Sequence, residues 1–67
     1  MSKRLIEGFD YQAQRPVSLP RKEWVERLAA VIKGGGRRRV ENGETFGHSK
    51  DGRIAFECYS TLPAVTQ

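Results

Sequence analysis

Apolar positions along the chain follow two different periods. From Trp24 to Ile32 they recur at helical spacing, with Trp24, Leu28 and Ile32 in one line and Val25, Ala29 and Val31 beside them. That is the stripe of an amphipathic helix. From Arg53 to Tyr59 they alternate instead, with Ile54, Phe56 and Cys58 set against Ala55, Glu57 and Tyr59. A strand sends successive side chains to opposite faces, so Ile54, Phe56 and Cys58 are expected to face the helix. Residues 4–11 alternate less cleanly. Leu5, Phe9 and Tyr11 share a parity that Glu7 interrupts. A strand is expected there, with Gly8 marking a bulge or a close contact.

The helix carries its own boundary signals. Ser18 is the expected N-cap, because its hydroxyl can accept an unpaired first-turn N–H. Pro20 suits the first turn, where its missing N–H costs nothing. Glu23 with Arg27 and Lys22 with Glu26 are spaced for i,i+4 pairing on the polar side. Lys33 favours the last turn, and Gly34 is the expected left-handed cap. Residues 12–18 show no periodicity and read as a connector.

After Gly34-Gly35-Gly36 come Arg37 to Glu41, then Asn42-Gly43, then Glu44 to His48. Asn-Gly signals a two-residue hairpin turn. That turn would set Glu41 against Glu44 and send Val40 and Phe46 to opposite faces. A longer loop pairing Val40 with Phe46 would keep both apolar residues together, and the pattern leaves the two registers open. Asp51-Gly52 supplies a second turn. The expected fold is α+β: one amphipathic helix packed on an antiparallel sheet of three to four strands, in the order β-α-β-β(-β). A chain of 67 residues is expected to form a single domain, 1–67, with residues 62–67 frayed.

Composition narrows the chemistry. Cys58 is the sole cysteine and His48 the sole histidine, so an internal disulfide and a four-ligand zinc site are both excluded. No cofactor is expected. A domain this small has a modest core, and a homodimer is one way to supplement it. A lone cysteine suits a cytoplasmic location, and no apolar run reaches membrane-spanning length. Twelve Lys and Arg against eight Asp and Glu give a net charge of +4, which favours anionic partners without requiring them.

Arg37, Arg38 and Arg39, with Lys50 and Arg53 brought alongside by a meander, form a candidate phosphate-binding patch. The alternative is a charged edge strand that resists aggregation. The glycines follow a helix and lack the lysine of a P-loop. Tyr11, Phe46 and Tyr59 are candidate aromatic contacts, although burial tendencies favour the core for such rings. Residues 52–59 do not fit the aromatic RNA-binding motif of recognition sheets. His48 and Cys58 form a catalytic pair only if they meet, and Cys58 is expected to be a buried, inert thiol.

In size, single helix and basic charge the chain resembles many small phage- or plasmid-encoded accessory proteins. The resemblance is one of style and carries no motif across. Two functions follow as expectations. The first is a non-enzymatic inhibitor or modulator of a host protein or nucleoprotein complex, as anti-CRISPRs are. The second is direct DNA or RNA binding through Arg37–Arg39. Glu41, Glu44, Asp51 and Glu57 dilute the basic patch and favour the first.

Overall fold

The computed structural model describes residues 4–64. Its elements run β1 (Leu5–Asp10), β2 (Arg15–Pro20), α1 (Arg21–Lys33), β3 (Arg37–Glu41), β4 (Glu44–His48) and β5 (Ile54–Cys58). The five strands form one antiparallel sheet in the spatial order β2-β1-β5-β4-β3. The α+β class and the single covering helix agree with the sequence. The strand count and order do not.

The additional strand is β2, in a segment expected to be a connector. It pairs with β1 along its length, from Asp10↔Arg15 to Leu5↔Pro20. The stretch showed no periodicity and Pro20 read as helical, but an edge strand tolerates proline where the N–H would face outward. Because β2 runs directly into α1, Ser18 lies in the strand. Pro20 occupies the N-cap position with no side-chain hydrogen bond. At the other end Gly34 is not left-handed (φ −81°). Gly35 takes that conformation, at φ 95°. The chain reverses there through Gly35 N–H to Ile32 O and Gly36 N–H to Val31 O.

The hairpin register resolves to the two-residue loop. Glu41 pairs with Glu44, and Asn42 and Gly43 both adopt positive φ, 53° and 78°. Turn geometry therefore outweighs the like-charge pair, in which Glu41 is exposed and Glu44 half-buried. Val40 pairs with Thr45, and Phe46 lies on the opposite face beside Arg39.

The core lies between α1 and one face of the sheet. Trp24, Leu28, Phe56, Cys58 and Leu62 are buried, flanked by Ile6, Leu19, Val25, Val31 and Ile32. Phe56 and Cys58 face the helix as the alternation requires, but Ile54 does not join the core as expected: Ala55 packs against the core instead, beside the register shift between Gly47 and His48 that interrupts the alternation. Trp24 packs its ring against Phe56 at 5.5 Å and donates its indole N–H to Ile6 O at 2.8 Å. Gly8 provides the close contact: a Cβ there would lie 2.3 Å from Glu57 O and 2.6 Å from the Trp24 ring. Arg27 bonds Asp10 on β1 at 3.2 Å instead of pairing with Glu23.

Leu62 was expected in the frayed tail, yet it is fully buried. Its N–H donates to Thr45 Oγ1 at 2.7 Å, and its C=O accepts from Arg38 Nε and an Arg38 terminal nitrogen at 3.0 and 2.7 Å. Thr45 Oγ1 donates in turn to Ser60 O at 2.8 Å. The chain after β5 therefore closes the core beneath β4 and β3. Residues 65–67 of the expected loose tail lie outside the described residues.

Candidate interaction surface

Helix α1 covers one face of the sheet, and no described element covers the other. Residues paired across antiparallel strands share a face. One row across the uncovered face therefore reads Pro16, Phe9, Glu57, Phe46, Arg39 from β2 to β3. The next row holds Ser18, Glu7, Glu44 and Glu41, with Tyr59, whose N–H donates to Glu7 O, between β1 and β4. On the other side of the central row lie Tyr11, bonded to Ala55 O through its N–H, and the His48–Arg37 pair.

Four aromatic rings thus share the open face. Phe9 and Tyr11 meet edge to face at 4.9 Å. The Arg39 guanidinium lies 4.2 Å over the Phe46 ring. Tyr11 and Tyr59 are exposed, at 38% and 47%. Burial tendencies placed Tyr11, Phe46 and Tyr59 in or against the core, but Trp24 and Phe56 fill that volume instead. Phe9 was missed as a surface residue. Its shared parity with Leu5 and Tyr11 was visible, but nothing in the pattern said which face of β1 met the helix.

Four of the five predicted basic residues come together, but most are engaged within the chain. Arg37, Arg38, Arg39 and Lys50 line a common depression with His48, Ser49 and Gly52, as the meander requires. Arg38 nonetheless turns to the helix side, where its guanidinium is held by Leu62 O. Arg39 pairs with Glu41 and donates Nε–H to His48 Nε2 at 3.0 Å. Arg53 pairs with Asp51 at 3.6 Å. Ser49 Oγ donates to Asp51, and this bond is the main reason its carboxyl lies below the usual range. Arg37 and Lys50 are the two of the five with no side-chain hydrogen bond or ion pair among the described residues.

Acidic groups dominate the other half of the face. Glu57 accepts the Tyr11 hydroxyl at 3.1 Å. Its carboxyl hydrogen-bonds that of Glu44, which holds Glu44 above the usual carboxylate range. Burial is the main reason the Tyr11 hydroxyl is raised, with Glu57 adding to it. Glu7, Glu44 and Glu57 have no ion-pair partner among the described residues.

Cys58 and His48 do not meet. Cys58 is buried on the helix side, and burial raises its thiol. His48 lies on the open side, where a neutral ring accepts from Arg39 at Nε2 and sets Nδ1 3.3 Å from Gly52 O. No group of three or more His, Cys, Asp or Glu is arranged to hold a metal ion among the described residues. No helix among them is long and apolar enough to cross a membrane. Compared with protein-family models, curated proteins and solved structures, the chain shows no significant match to any.

Proposed function

We propose that this is a non-enzymatic binding protein that docks its open sheet face on a protein, or on the protein component of a nucleoprotein complex, and so modulates it. The observation that carries this reading is the grouping of Phe9, Tyr11, Phe46 and Tyr59 on a face where three carboxylates, Glu7, Glu44 and Glu57, have no ion-pair partner among the described residues. Exposed aromatic rings are strong anchors in protein interfaces. Glu7, Glu44 and Glu57 beside them repel a phosphate backbone and suit a partner bearing lysine or arginine. Engagement of Arg38 by Leu62 O, Arg39 by Glu41 and Arg53 by Asp51 leaves fewer free cations for direct nucleic-acid binding. Inhibition of a host complex, in the manner of anti-defence proteins, is the form of modulation the reading favours.

The test combines affinity capture with face variants. Tagged protein is expected to recover a stoichiometric protein partner that survives nuclease treatment. Tyr59→Ala should weaken the purified complex by about 2 kcal/mol, the scale of an interface hot spot. A cationic partner should also return the Glu44 titration toward the ordinary carboxylate range, read by NMR. Recovery of nucleic acid alone, with a steep salt dependence that Arg37→Ala reduces, would replace this reading with the second one.

A further inference from the structure

The two edges of the sheet are built differently. On β1, the N–H of Tyr11 and the C=O of Glu7 bond toward β5, so odd-numbered positions of β1 serve β5 and even-numbered ones serve β2. Their partners on β2 follow: Arg15, Val17 and Leu19 bond inward, while Pro16, Ser18 and Pro20 face the free edge. Two of those three positions are prolines with no N–H to offer. This edge is closed to strand addition.

The β3 edge has no such block. A two-residue loop makes Glu41 and Glu44 a hydrogen-bonded pair, and alternation makes Arg39–Phe46 and Arg37–His48 the next two. The N–H and C=O groups of Arg38 and Val40 therefore point away from β4. No backbone hydrogen bond from any other described segment reaches them. Val40 is 39% exposed. Charged side chains can protect an edge. Here, however, the Arg38 guanidinium is engaged with Leu62 O and that of Arg39 with Glu41 and His48, which leaves Arg37 for that task.

We infer that β3 pairs antiparallel with β3 of a second copy, joining two five-stranded sheets into one of ten. The sequence Arg37-Arg38-Arg39-Val40-Glu41 is self-complementary in one register. Arg38 set opposite the second copy's Val40 satisfies all four outward groups on each strand about a two-fold axis. The same register places each Arg37 opposite the second copy's Glu41 on the open face. Arg39 meets its own counterpart on the axis, where each guanidinium is already matched by the Glu41 of its own chain. Shifting by two residues toward Arg37 sets arginine against arginine, and shifting toward Glu41 runs Arg38 into the Asn42-Gly43 turn. Charge and hydrogen bonding thus select the same register. The dimer leaves the aromatic face open and doubles it, and either surface can fail without the other.

Sedimentation equilibrium across a concentration series tests this. The wild type is expected to approach twice the 7.6 kDa of the chain. Val40→Pro removes an outward N–H but no bond to β4, so it should be monomeric at every concentration while keeping a cooperative melt. Arg37→Glu should weaken the dimer by about tenfold, through two lost ion pairs and two like-charge contacts in their place. The double swap Arg37→Glu with Glu41→Arg should restore it, which keeps the test decisive if the proline variant does not fold. A wild type that stays at single mass into the millimolar range overturns the inference. So does a Val40→Pro dimer that Tyr59→Arg dissociates, because that would place the contact on the open face.

Discussion

Asp10 joins three parts of the molecule. Its Oδ1 accepts the N–H groups of Gln12 and Ala13, and its Oδ2 accepts from Arg27 on α1. The Ala13 bond is the largest cause of its carboxyl lying below the usual range. A carboxylate depressed on folding stabilises above its unfolded pKa, and that contribution is lost as pH falls through the folded value. Asp10→Asn should therefore cost about 1 kcal/mol at neutral pH. The gap to wild type should begin to close near pH 4 and vanish in stronger acid. Urea melts at several pH values check this, and a gap that stays constant across that range contradicts it. Glu44 has the opposite sign. Raised by Glu57, it favours the folded state increasingly as acid protonates it. Neither role was legible in the sequence, since both depend on neighbours brought from distant segments.

At the scale of elements, legibility followed how local each determinant was. The body of the helix was readable because its apolar stripe repeats within one segment, but its start was read too early at a Ser18 cap, and α1 runs Arg21–Lys33. Strand β5 was readable for the same reason. Strand β2 was not, although Val17 and Leu19 share a parity. Its two prolines mean one thing in a central strand and another on an edge, and edge position is a property of the whole sheet. The same error produced Ser18 as a cap. Because Ser18 sits in β2 and caps nothing, Ser18→Ala should shift stability by less than about 0.5 kcal/mol, against about 1 kcal/mol for a true N-cap. A thermal melt distinguishes the two values. The Asn42-Gly43 turn makes the complementary point. Its chemistry was visible, but its weight against two facing glutamates was not.

Taken whole, the molecule weights its charges unevenly. Half of its eight acidic residues, Glu7, Glu41, Glu44 and Glu57, lie on the open face against Arg37 and Arg39, while Arg21, Lys22, Arg27, Lys33 and Arg38 lie on the helix side against Asp10, Glu23 and Glu26. A net charge of +4 therefore misdescribed the surface that carries the aromatic rings. The candidate contacts were legible one residue at a time, but their assembly needed the strand order. Integrity of the fold rests in part on Leu62, which a small core cannot spare. Leu62→Ala should cost about 2–4 kcal/mol, and in a domain this size lower the melting temperature by roughly 10–20 °C. Circular dichroism measures this directly. A shift of only about 1 °C would show that the buried leucine contributes little, since each kcal/mol is worth several degrees here.

Strand β5 bonds β1 on one side and β4 on the other, and it is the last strand to emerge in sequence. A nascent or truncated chain ending before Ile54 would hold two hairpins with no ladder between them, and neither could screen Trp24 from water. Productive folding must therefore wait for this keystone strand. Until then the growing polypeptide offers chaperones and proteases an exposed indole and two unsealed ribbons.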